Sequence, residues 1–169
     1  MRMIILGNMV SAIAAVFLCG SCISSDMKKS YSCQMLESIF LAVSSVFLGA
    51  GIRLITQILG AVRNGLVLKG RYNKTSTILF IALTLALGLA FNQEGLIGLI
   101  PVAASVQLTA CNYFCKNKDA VKASFIINTA LWGIYSVFIC DYVYAISNAV
   151  IVLAGISSYF AAPAKHAKA

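Results

Sequence analysis

The chain has 169 residues, of which 60% are hydrophobic and 11% charged, with a formal net charge of +8. Its mean hydropathy of +0.90 lies far outside the range of a soluble domain, so it reads as an integral membrane protein of one domain. With only two prolines and no linker-like run there is no place for a second soluble domain. The basic residues stand singly or in pairs between apolar runs and not along one helical face, which excludes nucleic acid as the partner.

A spanning helix needs about 20 mostly apolar residues, and seven runs qualify in chain order, at about 3–23, 32–50, 52–69, 76–92, 95–115, 121–140 and 142–162. The first, inside MRMIILGNMVSAIAAVFLCGSC, resembles a signal peptide or lipoprotein signal. The residues before Cys19 and Cys22 fit lipid attachment poorly, so it is read as an uncleaved span. The second run carries Glu37, the only acid inside a span; the GAG at 49–51 joins it to the third as a tight hairpin. The third holds Thr56 and Gln57 and, in its inner third, Arg63 and Asn64. Pro101 lies within the fifth run, where it predicts a kink and a hinge, and Gln107 follows it. The sixth run carries Asn128, Trp132 and Tyr135, and CDY at 140–142 turns it into the seventh, which holds Ser147 and Asn148.

Seven spans put the N-terminus and the 2–3, 4–5 and 6–7 turns on one side, with only Arg2 and Arg53 among the basic residues. Lys28, Lys29, Arg63, Lys69, Arg71, Lys74, Lys116, Lys118, Lys122, Lys165 and Lys168, eleven of the thirteen, fall on the other. The positive-inside rule makes that side cytoplasmic, giving an N-terminus outside and a C-terminus inside.

Shifting the chain by 91 residues lays SVFLGAGIRLITQIL (45–59) on SVFICDYVYAISNAV (136–150), and Thr56–Gln57 then falls on Ser147–Asn148. Gly7 falls on Gly98, and DMKKS comes close to KNKDA. The expected fold is all-α, with two parallel three-helix repeats (residues 1–70 and 95–162), a linker helix (76–92) and a cytoplasmic tail (163–169). Repeats in this relation share an axis along the membrane normal, where a solute path lies in transporters so built.

Between about residues 56 and 160 the order GAVRNGLVLKG, NQEGLIGLIPVAAS and LWGIYSVF resembles the YgjV-type bacterial inner-membrane protein family. The three-plus-one-plus-three layout and LWGIYSVFICDYVYAISN also resemble the SWEET and SemiSWEET transporters of the PQ-loop superfamily. In those families a Trp on the second helix of a bundle is followed sixteen residues on by an Asn in the third, as Trp132 is by Asn148. The resemblance implies that this pair lines a central pocket, the ring packing on a sugar and the amide hydrogen-bonding its hydroxyls. The first repeat departs from the pattern, with Leu41 opposite Trp132 and Gln57 opposite Asn148, and it lacks the Pro–Gln signature.

On the second helix Glu37, Leu41 and Ser44 share a face, as do Asn128, Trp132 and Tyr135 on the sixth, and both stripes are expected to look at the axis. Glu37 is either a proton-coupling or cation-binding group or a side chain snorkelling towards nearby lysines. Tyr135 either donates to solute or rests its hydroxyl on a neighbouring carbonyl. Arg63 either binds an anionic solute or, the preferred reading, snorkels to lipid phosphate. Gln107 is preferred as an inter-helix hydrogen bond. The pairs CGSC and CNYFC have thiol-motif spacing, but on a reducing side with the single His at 166 they read as small apolar helix residues; no metal and no cofactor is expected.

The reading is a SWEET-like carrier of a small polar solute in the bacterial inner membrane, working by alternating access. Its site residues are Trp132, Asn148, Gln57, Asn128, Glu37, Tyr135 and Ser44. The alternative is a receptor or scaffold on the same fold that moves nothing. No span carries an acid–base cluster or nucleophile–base pair, so no enzyme is expected. Expected partners are the solute and the lipid bilayer, with a homo-oligomer left open.

Overall fold

The computed structural model describes residues 2–24, 26–115 and 118–166, the side chains of Met27, Lys118, Asp119, Lys122 and residues 158–166 excepted. Lys116 and Lys168, and the side chains of Lys118, Lys122 and Lys165 on which the charge count draws, lie outside the described residues. Among those described, the chain forms seven α-helices and no strand. They are α1 (Arg2–Ile23), α2 (Met27–Leu48), α3 (Gly51–Leu68), α4 (Lys74–Ala90), α5 (Leu99–Phe114), α6 (Lys118–Phe138) and α7 (Tyr142–His166). Arg2–Ile23 and Lys28–Leu48 are long and apolar enough to cross a membrane, while Lys74–Ala90, Leu99–Phe114, Ala123–Phe138 and Tyr142–Ser157 are shorter apolar helices.

Local chemistry sets the ends. Asp26 caps α2, its side chain accepting from the Lys28 N–H at 2.9 Å, which starts the helix earlier than hydropathy implies. Asn73 and Ser76 form a reciprocal capping box on α4. The two hairpin turns are built alike. Gly49 (φ 69°) and Cys140 (φ 59°) both occupy the left-handed region. The next N–H, of Ala50 or Asp141, then bonds back to the carbonyl of Ser45 at 3.0 Å or Ser136 at 2.9 Å.

α5 corrects one expectation. It begins at Leu99, not near 95, so Pro101 sits in its first turn, where an N–H has no intrahelical partner to lose. Pro101 therefore does not kink the helix as expected. Residues 92–98 form a compact loop in which Asn92 donates to the Gly95 carbonyl at 2.7 Å and accepts from the Glu94 N–H at 3.0 Å.

The helices pack in the ring order α1, α2, α3, α5, α6, α7 and back to α1, with α4 against α3 and α5. α4 and α5 approach closely at Gly88, where a Cβ would lie 2.5 Å from Val102 Cγ2. Polarity is reversed relative to a soluble domain: Arg53, Arg63, Glu37, Asp141, Gln57, Asn64, Asn128 and Asn148 are all buried. Large apolar side chains such as Ile5, Met9, Val16, Val46, Leu89 and Leu153 face outwards. Lipid favours that coat, since each polar group in hydrocarbon needs an internal partner. On α3 the buried Arg53, Thr56, Gln57, Arg63 and Asn64 lie along one stripe, so the helix turns its polar residues inwards.

Candidate functional site

The hairpin turns and the 92–98 loop mark one end of the bundle, the hairpin end; the exposed Lys28, Lys29, Lys69 and Lys74 mark the other, the lysine end. At the hairpin end Asp141 precedes α7 and caps it, accepting from the Tyr144 N–H at 3.2 Å through Oδ1. Its Oδ2 accepts from Arg53 Nη1 at 2.6 Å and from the Ser11 hydroxyl at 2.5 Å. The Ser44 hydroxyl lies 2.7 Å from that of Ser11 and 3.0 Å from the Gly7 carbonyl, and its one proton goes to one or the other. Four helices, α1, α2, α3 and α7, are thus tied together by one carboxylate and the serines beneath it.

Asn8 reinforces this closure, donating to the Cys140 carbonyl at 2.9 Å and accepting from the Val143 N–H at 3.1 Å. Arg53 and Asp141 form the one ion pair among the described residues, and neither side chain is exposed. The Arg53 guanidinium lies 5.1 Å from the centre of the Tyr144 ring. Its Nε and Nη2 are buried without a hydrogen-bond partner among the described residues. The Tyr144 hydroxyl in turn donates to Glu37 Oε1. Glu37 therefore connects, through one aromatic side chain, to the seal.

Below the seal lies a cavity of about 60 Å³ to which every helix contributes a wall residue. Gln57, Asn128, Trp132, Asn148 and Glu37 all line it, as do Arg63 and Asn64. Asn148 donates to the Tyr144 carbonyl at 2.7 Å and Asn128 to the Ala104 carbonyl at 2.7 Å, so each keeps its amide oxygen available. Gln57 has no hydrogen-bond partner among the described residues. Thr56 bonds back to its own helix, as does Ser147.

Two of the expected site residues lie elsewhere. Tyr135 is fully buried but donates to Glu94 Oε2 at 2.7 Å, and Ser44 belongs to the seal. Neither is part of the cavity wall, because the shared stripes on α2 and α6 run past the cavity into the layer above it. Arg63 does not snorkel: Nη1 donates to Thr109 at 2.8 Å, and Nε and Nη2 donate to Asn64 at 3.3 and 3.2 Å. Those bonds hold it inward across the junction of α3 and α5. Gln107 joins α5 to α6, donating to the Ser124 hydroxyl at 2.6 Å.

Towards the lysine end the cavity adjoins a vestibule of about 600 Å³, with Gln34, Leu108 and Phe125 on the walls of both. Its sides include Cys19 and Cys22 of α1 and Ile151 and Ala154 of α7. α1 and α7, held together at the hairpin end, here leave a gap between them.

Sequence reasoning missed Arg53, Asp141 and Glu94. A signal was available: the 91-residue shift lays Arg53 on Tyr144 and Ala50 on Asp141, so a turn whose counterpart is neutral carries an acid beside the axis.

Apolar-coated helices around a polar interior define a helical, multi-pass membrane protein. The chain belongs to the YgjV family of bacterial inner membrane proteins, whose family model matches residues 5–162, and its place is the bacterial inner membrane. Comparisons with curated proteins and with solved structures give no match.

Proposed function

We propose that the protein carries a small polar solute across the inner membrane by alternating access, and that the cavity is its binding site. The observation that carries this reading is the asymmetry of access. The cavity is shut at the hairpin end by the Arg53–Asp141 seal and adjoins a ligand-sized vestibule at the lysine end. On this reading all seven helices span, the lysine end is cytoplasmic by the positive-inside rule, and the conformation is the inward-facing one.

Two parallel three-helix repeats, α1–α3 and α5–α7, supply the moving parts, with α4 as linker. The ring order supports them, since α7 meets α1 as α3 meets α5, and so do the matching hydrogen bonds of the two turns. Arg53 and Tyr144, counterparts under the repeat, stack on each other, as expected of residues on an axis. The seal is under-satisfied, with two of the three Arg53 nitrogens unpartnered among the described residues, which favours a contact that opens during transport. No enzymatic step and no cofactor belongs to this reading; its partners are the solute and the surrounding lipid, and a homo-oligomer is compatible with it.

The test is uptake into liposomes of a panel of sugars, amino acids and small organic acids. The reading expects saturable flux of at least one class, abolished or strongly reduced in Asn148→Ala. Absence of flux for the whole panel, or flux unchanged by that substitution, contradicts it.

A further inference from the structure

The cavity wall carries an acid and a base that form no ion pair with any described residue. Glu37 is 8% exposed and Arg63 6%, and both line the cavity. Glu37 receives one hydrogen bond, from the Tyr144 hydroxyl to Oε1, and Oε2 has no protein partner among the described residues. Among the described residues Arg63 is bonded only to neutral oxygens, those of Thr109 and Asn64. No ion pair joins the two, since Arg53–Asp141 is the one pair among the described residues. Glu37 lies eleven residues before the end of α2 and Arg63 twelve residues after the start of α3, so the hairpin sets both at a similar depth, with Gln57 six residues and about 9 Å nearer the turn than Arg63.

A buried charge without a counter-charge is costly, and a neutral ligand such as a sugar would leave both uncompensated. A simple anion would answer Arg63 and leave Glu37 facing like charge; a simple cation would do the reverse. One chemical class satisfies both walls at once: a small zwitterion with an ammonium group and a carboxylate on one short skeleton. Arg63 has guanidinium N–H groups left over for a carboxylate, Glu37 has Oε2 for an ammonium, and Gln57, 6% exposed and without a hydrogen-bond partner among the described residues, adds an amide to the same cavity wall.

Building on the transporter reading above, we propose that the solute is a small zwitterion of the α-amino acid class, its ammonium on Glu37 and its carboxylate on Arg63. The small cavity volume, about 60 Å³, favours members with short side chains.

The test uses the full-length protein in liposomes with L-alanine, L-alaninamide (the cation), propionate (the anion) and glucose as probes, each measured for binding and for flux. The expected result is binding and flux of L-alanine, with the amide and propionate weaker by about tenfold or more, as loss of one charged hydrogen bond implies. Glu37→Gln is expected to weaken alanine while sparing propionate, and Arg63→Gln to weaken alanine while sparing alaninamide. If Arg63→Gln does not fold, the wild-type order of the four probes still decides. Flux of glucose that L-alanine does not inhibit overturns the zwitterion proposal and leaves the transporter reading intact. Saturable alanine binding without flux supports the site and overturns transport. No binding of any probe overturns the proposal.

Discussion

Arg53 and Asp141, 88 residues apart in the chain, meet at 2.6 Å with neither side chain exposed. The carboxylate that receives the guanidinium also caps α7 and accepts from Ser11. Removing it therefore strands a buried cation and uncaps a helix. Asp141→Ala is expected to lower stability by about 3–5 kcal/mol, and Arg53→Met combined with it to recover much of that loss. Thermal unfolding in detergent of the two single variants and the double reads this directly. Simple additivity would mean that the pair is not coupled.

The two hairpin turns give a second expectation. Gly49 tolerates its φ of 69°, whereas Cys140 holds 59° with a side chain. Gly49→Ala should cost about 1 kcal/mol and Cys140→Gly should be neutral or stabilising by a similar amount. Opposite signs in the same unfolding assay support turns of one geometry; a loss of stability in Cys140→Gly counts against it.

At the contact of α4 with α5, a Cβ on Gly88 would lie 2.5 Å from Val102 Cγ2. Gly88→Ala is expected to destabilise by about 1–3 kcal/mol through overpacking, and Val102→Ala in the same chain to relieve it. If the second substitution only adds to the damage, the two helices do not touch as described.

The seven helices are legible because hydrophobic runs of spanning length, separated by short polar loops and, within the two hairpins, by GAG and CDY alone, leave few alternatives. The cavity residues stood out for a related reason. A lone amide or carboxylate inside an apolar run must face the interior, as Gln57, Asn128, Asn148 and Glu37 do. Depth along the axis was not legible. A helical stripe fixes a face but not a level, so Ser44 and Tyr135 share a face with cavity residues yet lie above the cavity. Charges near turns are ordinary, and nothing local to Arg53 or Asp141 encodes a partner 88 residues away. The position of Arg63 near a helix end favours lipid phosphate, and it is Thr109, on another helix, that draws it inwards.

The orientation makes a prediction of its own. Cys19 and Cys22 line the vestibule, and Cys140 stands in the turn at the hairpin end. In single-cysteine variants in sealed, oriented vesicles, a membrane-impermeant maleimide is expected to reach positions 19 and 22 from the cytoplasmic side. Position 140 is expected to react only from the opposite side. The reverse pattern would invert the proposed topology.

The central claim, a cavity that opens alternately to the two sides, is tested most directly at Gln57. With the six native cysteines replaced and Gln57→Cys introduced, a small methanethiosulfonate reagent is applied from each side in turn. The account predicts modification from the cytoplasmic side alone while the Arg53–Asp141 seal is intact, and from the opposite side once Asp141→Ala breaks it or saturating solute drives turnover. Modification from one side only under all these conditions would contradict it, and would mark the protein as a receptor or scaffold that holds its ligand without moving it across the membrane.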